Sequence, residues 1–152
     1  LGDIEPFEGA GQTHSVRIDP PARAPDLVLE ARIADNQAHL YRLSGDYNPI
    51  HLDPEYAAKT PFQARIAHGI LSAGYISAVF GMQLPGPGSV YISQTLVFKA
   101  PVKIDDVVVT TVKLIELIPE KKRAKFETVC SVGGKPVLTG EAVLMIPARP
   151  AA

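Results

Sequence analysis

Cysteine is scarce in this sequence. There is one in 152 residues, Cys130, so neither an intramolecular disulfide framework nor a cysteine-rich metal centre can be built. Cys130 lies in the alternating stretch AKFETVCSV, where a small buried apolar role is expected rather than a reactive thiol. Neither sign of charge is in excess: 15 Lys+Arg against 16 Asp+Glu leave a net charge of −1. That argues against a nucleic-acid binder, which carries a strong basic surplus. No apolar run reaches the roughly 18–20 residues that span a bilayer. Neither a secretory signal pattern nor a Ser-Lys-Leu terminus is present. Nucleic acid and membrane are therefore not expected as partners, and a cytoplasmic location is the default expectation. The chain opens on Leu1 rather than methionine, as expected of a processed piece or of part of a longer chain.

What is present fits one domain with a sizeable core, since 46% of the residues are hydrophobic. Residues 1–26 hold three glycines and four prolines without clear periodicity and read as an arm or linker. Residues 27–147 read as the domain and 148–152 as a tail. LVLEARIA (27–34) is expected to be a strand. A short helix should follow, capped by Asp35, with Leu40 and Leu43 as its apolar stripe and Gly45 as its stop. In DPEYAAK, Asp53 should cap one or two helical turns, with Pro54 at the first helical position. AHGILSAGYISAVFGMQL (67–84) is apolar on nearly every side, so this helix is expected to be mostly enclosed. The remainder reads as strands: 90–102, 107–118, 123–132 and 135–146, the last two joined by the turn signal Gly133-Gly134. Ala124, Phe126, Thr128, Cys130 and Val132 should share one face. A long helix against one antiparallel sheet is an α+β layer solution, and its edges call for covering or pairing.

The chemistry concentrates in SGDYNPIHLDPEYA (44–57). Pro49 restricts Asn48 to extended backbone, so Asp46, Asn48 and His51 should leave the helix stop on a rigid loop. A carboxylate and an imidazole are the pair best suited to proton transfer near neutral pH, and together they can grip one water. Each also has a structural reading: Asp46 as an acceptor for loop amides, His51 as a satisfied structural histidine. A metal site built from His51, Asp53 and His68 matches no known zinc spacing, and no metal is expected. In IAHGIL, Gly69 opens the long helix, where unpaired N–H groups and a partial positive charge can stabilise an oxygen gaining negative charge. His68 reads equally well as a histidine bonded to loop backbone or as a site residue. Ser77, two to three turns along, reads as a packing residue.

LYRLSGDYNPIHLDPEYA, IAHGILSAGYIS and VYISQTLVFKAPVKIDDVV together resemble the MaoC-like (R)-specific enoyl-CoA hydratases of hot-dog fold, over roughly residues 27–147. The G-D-x-N-P-[IL]-H-x-D-P stretch is that family's hydratase signature. The wording is most similar to the C-terminal half of the type-two enzymes, which hold two hot-dog halves, and the resemblance makes residues 1–26 the connector to a missing N-terminal half. It implies an α+β hot-dog fold, a long central helix wrapped by one antiparallel sheet. It also implies syn addition of water to trans-2-enoyl-CoA, giving (3R)-3-hydroxyacyl-CoA in fatty acid metabolism. Asp46 and His51 would be catalytic, Asn48 would support the water and the loop, and the Gly69 N–H would bond the thioester oxygen. The serine matching Ser77 would lie close to the aspartate. Ser77, His68, Tyr75 and Lys99 are the substrate-binding candidates. Leu71, Tyr75, Phe80 and Met82 could line an acyl tunnel, and Lys99, Lys103, Lys121, Lys122 and Arg123 could meet the CoA phosphates. No cofactor is implied beyond the CoA of the substrate. The implied partner is a second copy or a second hot-dog half. The alternatives are a hot-dog thioesterase, an acyl-carrier-protein dehydratase, or a non-catalytic module that binds acyl-CoA.

Overall fold

The computed structural model describes residues 26–34 and 44–146. The arm up to residue 25, the helix expected from Asp35 with its Leu40 and Leu43 stripe, and the tail lie outside the described residues, and Asp26, counted with the arm, begins the first strand.

Six strands form one antiparallel sheet. They are β1 (Asp26–Arg32), β2 (Val90–Gln94), β3 (Val97–Phe98), β4 (Val107–Ile118), β5 (Arg123–Val132) and β6 (Lys135–Met145). The sheet order is β1-β4-β5-β6-β2, with β3 also paired to β6. The clean alternation of β5 carries straight into packing. Ala124, Phe126, Thr128 and Cys130 are buried, and Val132 is half-buried at the strand's end. On β4, Val108, Thr110 and Val112 face the same core. The β5–β6 turn has φ of 56° at Gly133 and 76° at Gly134, the two positive values a type I′ hairpin requires.

The stretch 90–102 breaks into β2 and β3 instead of forming one strand. Thr95 turns its N–H to the Glu141 carbonyl and takes the Glu141 N–H on its hydroxyl, both at 2.9 Å. The chain can cross there because residue 140 is glycine: a Cβ at Gly140 would collide with the Thr95 carbonyl.

Among the described residues, three helices lie between β1 and β2: α1 (Pro49–Leu52), α2 (Pro54–Ala58) and α3 (Gly69–Met82). Pro49 ends the preceding backbone as expected, yet His51 then sits on a helical turn rather than on a loop. Asn48 is extended (φ −56°, ψ 121°) and its side chain caps the new turn, where a proline at the first position loses no hydrogen bond. α3 lies against the sheet and buries Ser72, Ile76, Val79 and Phe80. Phe80 packs on Phe126 with ring centroids 4.9 Å apart and meets Tyr91 edge-on at 5.5 Å. Burying one such phenyl ring contributes about 1.5–3 kcal/mol. The expectation that α3 is mostly enclosed needs correction: Ile70, Gly74, Ser77, Ala78, Gly81 and Met82 form an exposed stripe along one side. The sheet covers only one face of the helix, and an all-apolar helix does not say in advance which face that will be.

Candidate active site

The Asp46–His51 segment is held by hydrogen bonds that each follow from residue type. Gly45 takes φ +90°, a turn open mainly to glycine. Asp46 Oδ1 accepts the Asn48 N–H at 3.1 Å, and Asn48 Oδ1 accepts the Ile50 N–H at 3.2 Å. The Ile66 N–H donates to the Ile50 carbonyl at 3.3 Å. In return, His51 Nδ1–H donates to the Ile66 carbonyl at 2.8 Å. A carbonyl can only accept, so this bond puts the ring proton on Nδ1 and leaves Nε2 as the basic nitrogen. Asp53 is not part of the cluster. Its Oδ1 caps α2, accepting from the Glu55 and Tyr56 N–H groups at 2.8 and 3.1 Å. The His51–Asp53–His68 set weighed as possible ligands therefore does not form.

His68 lies beneath these groups, 2% exposed. Its ring stacks on His51 with centroids 3.9 Å apart and planes tilted by 32°. Its Nε2–H donates to the Asp46 backbone carbonyl at 3.3 Å and lies 3.8 Å from the carboxylate Oδ2. Burial lowers the His68 pKa below 6.5. The hydrogen bond to the Asp46 backbone opposes this, the nearby His51 adds to the lowering, and the Asp46 charge opposes it. The donor atoms of Asp46, His51 and His68 all lie within 4.8 Å of one another. A cation there would have to displace the His68 Nε2 proton and its bond to Asp46, so the three fit a proton-handling cluster better than a metal centre.

A cavity of about 510 Å³ opens beside His51. Gly69, Ile70 and Ser72 line it from α3, Phe98 and Lys99 from the other wall, and Val137 and Leu138 from the sheet. The Gly69 N–H stands at the first position of α3 and has no backbone acceptor among the described residues. A Cβ on residue 69 would come within 2.6 Å of the Phe98 ring, so glycine lets that ring lie against the helix start.

The structure thus brings together Asp46, His51, His68 and Gly69, and places Lys99 on the cavity wall. Asn48 shapes the turn from an exposed position. Two of the substrate-binding candidates lie elsewhere. Ser77 is on the exposed stripe of α3, and Tyr75 is half-buried against the core. Neither they nor Leu71, Phe80 and Met82 line the cavity. Ser72 does, and sequence reasoning missed it along with Phe62, Ile66 and Phe98. The signals available were weak: a serine on the first turns after Gly69, and an aromatic directly before Lys99.

The chain matches the MaoC like domain over residues 17–141. It is 52% identical over 122 residues to the (R)-specific enoyl-CoA hydratase of Rhodospirillum rubrum, covering 80% of this chain and 85% of that protein. It is 57% identical over 107 residues to the 3-hydroxybutyryl-CoA dehydratase of Methylorubrum extorquens, covering 70% and 68%. Among solved structures, the (R)-hydratase from A. caviae involved in PHA biosynthesis superposes with a TM-score of 0.78 at 37% identity. That match covers 89% of this chain and 100% of the other. The sheet curled on one helix is therefore the expected hot-dog fold. The Rhodospirillum relative is little longer than the matched stretch, so relatives with one such unit exist beside the two-unit enzymes that the signature resembles.

Proposed function

The chain belongs to the MaoC-like domain family, and from that premise we propose that it is an (R)-specific enoyl-CoA hydratase, a hydro-lyase acting on acyl-CoA. The observation that carries this reading is that a carboxylate oxygen of Asp46 and a ring nitrogen of His51 lie within 4.8 Å of each other, with His51, whose Nε2 is left basic, lining a cavity that Gly69 also lines. Water is a poor nucleophile towards C3 of a conjugated thioester. A carboxylate and an Nε2 lone pair are both acceptors, so a water between them donates both its O–H bonds and turns an oxygen lone pair to C3. As the C3–O bond forms, one of the pair takes the proton, and charge passes to the thioester oxygen as an enolate. The Gly69 N–H stabilises that oxygen. The proton then returns to C2 from the side on which water entered, which is syn addition. Water is added with no net oxidation or reduction, so the proposed reaction calls for no redox cofactor.

The apolar wall from Ile66, Phe98, Val137 and Leu138 suits an acyl chain, and Lys99, exposed at its edge, suits a CoA phosphate. The open stripe on α3 and the exposed Val90, Tyr91 and Ile92 on the edge strand β2 favour pairing with a second copy or a second hot-dog half. Among the described residues no helix is long and apolar enough to cross a membrane; a cytoplasmic location is part of the proposal. The test is incubation with crotonyl-CoA. Loss of enoyl absorbance with (3R)-3-hydroxybutyryl-CoA as the product is expected. Release of free thiol would assign a thioesterase instead, and binding without turnover would assign a non-catalytic module.

A further inference from the structure

His68 occupies the N-cap position of α3 but makes no side-chain cap bond. Serine, threonine, asparagine or aspartate would serve the helix better there, by about 0.5–2 kcal/mol over a non-capping residue. Burying an imidazole also carries a desolvation cost. Helix stability therefore does not account for this residue. Its ring is turned instead to the two groups proposed to hold the water. One face lies on His51 at 3.9 Å, and its Nε2–H reaches the Asp46 carbonyl at 3.3 Å.

We infer that His68 is a positioning residue, a buried prop that fixes His51 and Asp46 relative to each other rather than a group that binds substrate. This rests on the hydratase reading of the same site. The single hydrogen bond from His51 Nδ1 to Ile66 tethers that ring at one edge and leaves it free to swing; the stacked His68 ring blocks the swing. Asp46 is half-exposed, and among the described residues its carboxylate accepts one hydrogen bond, from the Asn48 N–H. The bond from His68 to the Asp46 carbonyl ties that turn to the start of α3, the element that carries Gly69. One imidazole thereby sets the spacing of acid, base and oxyanion donor. Its lowered pKa keeps it uncharged near neutral pH, so it orients the pair without adding charge beside it.

Two substitutions separate the two contacts. His68→Phe keeps a stacking ring and removes the donor. His68→Gln removes the ring and keeps an N–H donor at about the reach of Nε2. The readouts are kcat and KM on crotonyl-CoA, with circular dichroism and melting temperature as controls for folding. His68→Phe is expected to lower kcat about 10- to 100-fold, the scale for misplacement of catalytic groups, with KM within about threefold. His68→Gln is expected to regain part of that loss. The inference is overturned if both folded variants keep kcat within about twofold. It is equally overturned if KM rises about tenfold with kcat intact, which would make His68 a substrate contact, or if activity falls only in step with the folded fraction. If His68→Phe fails to fold, the kcat-against-KM split of His68→Gln decides. A wild-type chain inert towards every enoyl-CoA would instead sink the hydratase reading, and this inference with it.

Discussion

The two ends of α3 are built from the same small and apolar residues and do different things. At the first turn, His68 is 2% exposed and the backbone faces a polar cluster and a cavity. At the last, Met82 is 74% exposed and Gly81 has open space where a Cβ would go. The first turn gains its chemistry from what other segments bring to it: the Asp46–His51 turn, the Phe98 ring and the sheet residues Val137 and Leu138. At the far end Phe80 packs on Phe126 and Tyr91, while Gly81 and Met82 on the stripe stay exposed. A uniform helix therefore becomes a site at one end and an open surface along one side, according to the elements that reach it.

The largest effect that could break this comparison lies in the polar cluster. Asp46→Asn and His51→Ala should each lower hydration of crotonyl-CoA by about 10²–10⁴-fold, the usual range for a lost acid–base group. Neither is expected to unfold the chain, because neither side chain belongs to the buried core. Turnover within about threefold of wild type in either variant would refute the assignment.

Glycines at the two ends of α3 give the next contrast. Gly69→Ala forces the Phe98 ring away from the N–H proposed to bind the thioester oxygen. Activity should fall by about tenfold or more, towards the ~10²–10³-fold seen when an oxyanion donor is lost outright. Gly81→Ala meets no atom within 4 Å. It should leave turnover unchanged and stabilise the helix by about 0.5–1 kcal/mol in thermal or denaturant unfolding. Equal losses of activity at the two positions would remove the distinction between site and surface.

The open stripe is tested by solution size. A dimer, or a complex with a second hot-dog half, is expected for the wild-type chain at micromolar concentration. Ala78→Glu, which sets a charge in the stripe, should shift it towards the monomer by light scattering, because an unpaired carboxylate is costly to bury. A wild-type chain that is already a well-behaved monomer would count against pairing.

The smallest effect is in pH. Folded His68 binds its proton less readily than the ordinary 6.5, because it is buried. As pH falls below about 6.5, the unfolded chain takes up that proton first, so stability is full above this value and declines below it. Denaturant unfolding at pH 7.5 and 5.5 should show the decline, and His68→Gln should flatten it. An unchanged slope in the variant would show that His68 is not the group responsible.

The parts of the molecule differ in how far they could be read from sequence. β5 was readable residue by residue, because burial on one face of a strand imposes a period of two that the chain itself displays. Asp53 and Pro54 announced α2 through local capping, which needs no distant partner. The break at Thr95 was hidden, since it depends on Gly140 lying beneath the crossing chain. Ser72 and Ser77 show the same limit within one helix. They lie five residues apart, about 140° around the axis, so only one of them can face the cavity. The family resemblance implied Ser77, which the residues alone read as packing, while the fold of this chain turned Ser72 inward and left Ser77 on the open stripe.

By itself the sequence determined the order and type of most elements, the rigid turn from Gly45 to Asp53, and the residues with the chemistry to move a proton. Those properties are set by neighbours along the chain: capping, proline geometry and alternation. Only the tertiary structure decided that His68 lies under His51 and against Asp46, that Phe98 closes on Gly69, and that one side of α3 is left uncovered. These contacts join residues far apart in sequence. Their energies come from burial and close packing, and they exist only once the sheet has curled around the helix.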